Sequence, residues 1–226
     1  MLEYLVGSLI LLCGWVALYL LRSDLRREML FSSLLSMPLA VSEPLFVPGY
    51  WNPQAILGFK IFSLNFDLES FIFCFAIGGI AAVIYEVFLS QHVKKAREGR
   101  VKTLRHFYLL VAVLFVTFAL LIVAVKAIYA GIISTGLAAV VIMITRKDLR
   151  KEIVFGGVMF AVVYFAYFVI LNNIIFPDWI SKVYNLNGLL GISFLKIPIE
   201  EIFWALTFGA LWAPLYEDLK GYTIAK

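Results

Sequence analysis

Seven stretches of mostly apolar residues run through this chain, at roughly 2–21, 29–47, 68–89, 105–124, 127–145, 152–173 and 199–216. Each approaches the ~20 residues that a helix needs to cross the hydrocarbon of a bilayer. Of 226 residues, 63% are apolar and 15% charged, against roughly 45–50% and about 25% in an ordinary soluble domain. A single globular core of this length cannot bury that much apolar surface. The solvent is therefore largely lipid. That excludes a soluble enzyme, a nucleic-acid-binding module and a disordered regulator. The net charge of +4 then reports membrane topology.

Between Phe107 and Thr145 the only charged residue is Lys126. One helix over that stretch would run about 58 Å, too long for a single crossing, so a tight hairpin is expected near Lys126. Seven spans put the 1–2, 3–4 and 5–6 loops and the C-terminal segment on one side, with 15 of the 19 Lys and Arg residues. Lys60, Lys126, Lys182 and Lys196 fall on the other. Because cytoplasmic loops carry the excess of basic residues, the N-terminus is predicted outside and the C-terminus in the cytoplasm. The first span has Glu3 before it and Arg22 after it, the reverse of a secretory signal, and is expected to stay as an anchor.

The chain also repeats itself. Arg22-Ser-Asp24-Leu25-Arg26-Arg27-Glu28 returns 124 residues later as Arg146-Lys-Asp148-Leu149-Arg150-Lys151-Glu152, and Phe31 returns as Phe155. At an offset of 131, Asp67-Leu-Glu69-Ser-Phe71 matches Pro198-Ile-Glu200-Glu201-Ile202, and Gly78, Tyr85 and Glu86 match Gly209, Tyr216 and Glu217. Trp51 precedes Leu57-Gly58 by the same six residues that separate Tyr184 from Leu190-Gly191. The expected fold is all-α and integral to the membrane: seven helices as two parallel three-helix repeats joined by a connector (3+1+3). Its parts are residues 1–90, a basic loop and connector helix at 91–126, and residues 127–226. Parallel repeats place their site at the repeat interface, where the third and seventh helices would face each other.

Carboxylates inside hydrocarbon cost about 2.5–3.5 kcal/mol on insertion scales and are functional candidates by default. Glu69, Glu200 and Glu201 open the third and seventh helices, while Glu86 and Glu217 close them. Acids in a first turn also complement the helix dipole, and Glu86 and Glu217 could simply pair with nearby basic residues. Desolvation favours the protonated form of such a group, which makes it a candidate general acid. Aromatic faces beside it could stabilise a cation; those flanking the acids are Phe71, Phe73, Phe203, Trp204 and Trp212.

Other chemistry is poorly supported. Cys13 and Cys74 lie in different spans without a Cys-x-x-Cys pattern, so no metal site is expected. His92 and His106 flank the basic loop, whose run from Lys94 to Arg105 is suited to anionic lipid heads. Neither a dinucleotide fingerprint nor a phosphate-binding loop is present, and no cofactor is expected.

Leu190-Gly191, Pro198-Ile199-Glu200-Glu201-Ile202-Phe203-Trp204 and Tyr216-Glu217 resemble the signature of the non-flavin, integral-membrane lycopene cyclases of carotenoid biosynthesis. That family occurs as two short subunits or as one fused chain. In the first repeat Leu57-Gly58, Glu69, Phe73 and Tyr85-Glu86 match, whereas Asp67 replaces the proline and Ser70 the second acid. The resemblance implies a redox-neutral, acid-catalysed cyclisation of an acyclic carotenoid within the bilayer. It implies Glu200 or Glu201 as the acid, with Glu69 as orienting group or proton acceptor. It also implies a multi-pass protein of a prokaryotic cell membrane, with other carotenoid-pathway enzymes as candidate partners.

Three alternatives stay open. A hydratase would capture the same cation with water. A small-solute transporter can share the three-one-three topology, although the prolines here form no repeat-matched pairs. A cyclase-like protein could also bind carotenoid without catalysis. A retinal photoreceptor is excluded, because residues 199–216 contain no Schiff-base lysine.

Overall fold

The computed structural model describes residues 2–61, 64–89, 94–96 and 100–224; His92, Arg97 and Lys226 lie outside the described residues. The chain is all-helical in architecture. Helices α1 (Glu3–Leu21), α2 (Arg26–Ser36), α3 (Leu68–Leu89), α4 (Arg100–Leu121), α5 (Ala127–Thr145), α6 (Arg150–Ile170), α7 (Trp179–Val183), α8 (Ile199–Trp212) and α9 (Leu215–Lys220) follow in order. Among the described residues, four segments are long and apolar enough to cross a membrane: α1, α3, α5 and Lys147–Ile175.

Proline decides where two of the expected spans depart from a single α-helix. After Ser36 the chain tightens into a 3-10 segment, Met37–Leu45, with Pro38 in its first turn and Pro44 inside it. Proline lacks the N–H that an α-helical ladder needs and clashes with the preceding turn. Likewise α8 stops at Trp212, and α9 starts after Pro214. At 14 residues, α8 is about 21 Å long, shorter than the 199–216 stretch suggested. Between α4 and α5 the turn is tight: α4 ends at Leu121 and Lys126 caps the start of α5.

Two compact units divide the chain, residues 1–80 with 164–201, and residues 81–163 with 202–226. The first unit thus draws on both repeats. Its core includes Tyr4, Leu11 and Trp15 of α1, Met29 of α2, Ala76 and Ile77 of α3, and Phe168, Trp179 and Ile180. Bare glycine lets these helices approach: a Cβ on Gly78 would lie 1.9 Å from Ser36 Oγ, and one on Gly79 2.1 Å from Trp15 Nε1. Small residues serve helix contacts in lipid this way. A short hairpin precedes each acid-bearing helix. Strands β1 (Gly58–Ile61) and β2 (Leu64–Asp67) lead into α3. In the second, β4 (Ser193–Phe194) and β5 (Ile197–Pro198) turn through Leu195 and Lys196, both at positive φ, and lead into α8.

The second unit packs α4 against α5 and buries Ala130, Ala138, Ile142, Ile153, Phe160, Phe208 and Leu211. A two-stranded pair, β3 (Lys94–Ala96) and β6 (Tyr222–Ile224), closes one end. At the α5–α6 junction Arg146 bridges Asp148 and Asp218 and donates to the Tyr222 carbonyl at 2.5 Å, while His106 Nδ1 lies 2.8 Å from Asp218 Oδ2.

The duplication holds at the level of single bonds. Arg22 Nε and Nη2 reach Asp24 at 3.1 and 3.0 Å, and Arg146 Nε and Nη2 reach Asp148 at 3.1 and 2.9 Å. Arg26 Nε donates to the Tyr19 carbonyl and Arg150 Nε to that of Met143, again 124 residues apart. Gly78 faces Ser32 and Ser36, and its match Gly209 faces Gly156 and Phe160, which are the counterparts of those serines at the offset of 124. Matched residues even pair with each other. Trp51 and Tyr184 form a β-bridge, flanked by Asn52 N–H to the Val183 carbonyl and Asn185 N–H to the Tyr50 carbonyl, both 2.8 Å.

Candidate active site

The three leading acids, Glu69, Glu200 and Glu201, are 0%, 1% and 4% exposed. They do two different jobs. Glu69 Oε1 accepts the backbone N–H groups of Ile56 and Leu57 at 2.9 and 3.0 Å, and Glu200 Oε1 accepts the N–H of Leu190 at 2.8 Å. Leu57 and Leu190 belong to the matched Leu-Gly pairs. In each repeat, then, the first acid of the helix clamps the loop folded over it. Glu69 Oε2 is buried, with no hydrogen-bond partner among the described residues. Beside Glu200 a cleft of about 230 Å³ is lined by Asn172, Ile180, Leu189, Ile192 and Lys196.

Glu201 is held by side chains instead. Tyr50 donates to its Oε1 at 2.6 Å and Tyr164 to its Oε2 at 3.0 Å. Tyr184 borders the same carboxyl group. Burial and then the Glu201 carboxylate push the Tyr50 and Tyr184 phenols well above their usual range, so both stay protonated as donors. The rings form a wall: Tyr4 lies edge-on to Trp51 at 4.9 Å, Trp51 lies 6.2 Å from Tyr184, and Tyr184 lies 5.3 Å from Tyr50.

At the first-repeat position matching Glu201 stands Ser70. Its Oγ donates to Glu43 Oε2 and lies 2.6 Å from the Tyr4 hydroxyl. Glu43 comes from the 3-10 segment after α2 and is 7% exposed.

The expected aromatic partners disperse. Phe73 lies edge-on to Tyr164 at 6.4 Å, next to the Glu201 group. Phe71 packs on Phe59 of β1 at 6.2 Å, and Phe203 is 46% exposed. In the second unit Trp204, Phe208 and Trp212 form a continuous stack with centroids 5.0 and 4.8 Å apart. There Glu86 and Glu217 are buried with Tyr85 and bring carboxylate oxygens within 4.8 Å of each other. Tyr216 packs on Tyr222 and under Lys220.

Five polar side chains here were not among the sequence candidates: Tyr4, Glu43, Tyr50, Tyr164 and Tyr184. Glu43 carried a usable signal, being a carboxylate inside the second apolar stretch. The tyrosines carried none, because 11 tyrosines are spread through the chain and only folding shows which three meet one acid.

Fold and site define a helical membrane protein that keeps carboxyl groups among phenols inside an apolar body. The family model described as lycopene cyclase matches residues 3–88 and 126–219, the segments that carry the two repeats. The chain belongs to the lycopene cyclase family, and with it to carotenoid biosynthesis. Neither a curated protein nor a solved structure matches the chain.

Proposed function

We propose that this protein closes the end group of lycopene, or a similar acyclic carotenoid, into a ring by redox-neutral acid catalysis. Glu201, as a carboxylic acid, protonates the terminal double bond of the polyene. The tertiary cation so formed is attacked by the internal double bond, a carbon–carbon bond closes the ring, and a proton leaves to restore a double bond. The observation that carries this reading is the pair of phenols on the Glu201 oxygens. An alkene is a feeble base, so the acid yields its proton only if its own negative charge is stabilised as it develops. Donors already aimed at both oxygens supply that without reorganisation. The faces of the surrounding tyrosines and Phe73 would steady the cation. Glu69 and Glu200 act as orienting groups through the loops they clamp.

The reading includes the frame: seven spans as repeats 1–90 and 127–226 around a connector at 91–126, N-terminus outside, in a prokaryotic cell membrane. A hydrocarbon dissolved in the bilayer reaches such a site without a water-filled entrance.

Expression in cells that accumulate lycopene is the test. A ring-bearing product of unchanged mass is expected. Lycopene left untouched would overturn the proposal, and a product heavier by one water would replace cyclisation with hydration.

A further inference from the structure

The first repeat has Ser70 where the second has Glu201, yet that serine holds a carboxylate from another segment, Glu43. Ser70 donates to Glu43 Oε2, and Tyr4 closes on Ser70 from behind. The other oxygen, Glu43 Oε1, is buried and has no hydrogen-bond partner among the described residues. Leaving a polar atom so is unfavourable, and buried groups without partners call for a specific explanation. Glu69 also has a partnerless oxygen, but its counterpart in the repeat is Glu200, and both serve as loop clamps. Glu43 is instead held by Ser70, the residue that matches Glu201. It is joined to Glu201 through Ser70, Tyr4 and the wall of Trp51, Tyr184 and Tyr50.

We propose that Glu43 is the proton acceptor of the reaction, receiving at Oε1 the proton that the ring-closed cation sheds; this rests on the acid-driven reading given above. The carbon–hydrogen bond beside the cationic carbon breaks, its electron pair becomes the new ring double bond, and the proton passes to the carboxylate. Glu201 has meanwhile become a carboxylate. Exchange with water returns one proton to Glu201 and removes one from Glu43, so the cycle consumes nothing. Ser70 and Tyr4 are positioning residues that hold Oε2 and leave Oε1 without a partner of its own among the described residues.

The test uses the full chain in lipid vesicles with lycopene, in deuterated water, for wild type, Glu43→Gln and Glu201→Gln. Glu43→Gln is expected to lower product about 100-fold or more, the usual size of a general acid–base contribution. Its recovered lycopene should nevertheless carry deuterium in the end groups, because Glu201 still delivers protons that can only be handed back. Glu201→Gln should give neither product nor label. If wild type makes no ring, the acid-driven reading itself fails. If wild type is active and Glu43→Gln stays within about threefold of it, or its recovered lycopene is unlabelled, the acceptor role alone is overturned. Should the Gln variant not accumulate, Glu43→Ser with Ser70→Glu returns a carboxylate to the matched position. Restored product supports the inference, and an accumulated but inactive double variant overturns it.

Discussion

Tyr50 donates its hydroxyl to Glu201 at 2.6 Å across 151 residues of chain, tying the loop of one repeat to the helix of the other. Removing a preorganised donor to a developing oxyanion costs on the order of 10²–10³ in rate. Tyr50→Phe is therefore expected to slow ring formation about 100-fold at unchanged protein level, and Tyr164→Phe, whose contact is longer at 3.0 Å, somewhat less. Product per unit of membrane protein checks both, and rates within about twofold of wild type would remove the phenols from the mechanism.

The acids should separate by role. Glutamine keeps an acceptor oxygen for the amides of Leu57 and Leu190, so Glu69→Gln and Glu200→Gln are expected to retain activity within about tenfold, while Glu201→Gln loses about 100-fold or more. Alanine at either clamp removes the hydrogen bonds to these part-buried N–H groups, each worth about 1 kcal/mol, and should lower the melting temperature in detergent.

Close helix contact makes its own prediction. A methyl group at Gly78 would sit 1.9 Å from Ser36 Oγ and 2.5 Å from Ser36 Cβ. Overpacking of this kind costs about 1–3 kcal/mol, so Gly78→Ala should unfold earlier and Ser36→Gly in the same chain should recover part of the loss. Gly136→Ala, whose nearest neighbour is Thr207 Cγ2 at 3.4 Å, should be nearly silent in the same assay.

Within the second unit, Arg146 and Asp218 are 9% and 2% exposed and lie 3.2 Å apart. Arg146→Ala leaves the Asp218 charge buried without its guanidinium, and breaking such a pair costs about 3–5 kcal/mol. The exposed pair Lys196–Asp178, at 2.7 Å, is expected to be dispensable: Lys196→Ala should leave the unfolding curve unchanged.

Much of the frame was legible before folding. Hydrophobic run length marked the helices. The Arg-x-Asp-Leu-Arg repeat pointed to two junctions that prove to share their hydrogen bonds. The hairpin at Lys126 followed from helix geometry alone. The breaks at Pro38, Pro44 and Pro214 sit at residues visible in the sequence, but run length alone does not register how proline shortens a helix. At the site, acid positions were legible because charge in an apolar run is costly, but their division of labour was not. Glu200 and Glu201 are neighbours in sequence and point to different partners because successive side chains on a helix lie about 100° apart. Phe203 reads as a site residue by proximity and faces outward for the same reason. Tyr4, Tyr50, Tyr164 and Tyr184 come from α1, the loop after α2, α6 and the loop after α7, and no spacing along the chain encodes their meeting.

The origin of the hydrogen added during ring closure tests the central claim most directly. With protein in vesicles and lycopene in deuterated water, mass spectrometry of the product should find one deuterium for each ring formed by the wild type, and no product from Glu201→Gln. Rings that close without gaining deuterium, or a Glu201→Gln variant that closes them at the wild-type rate, would contradict proton delivery by this carboxyl group.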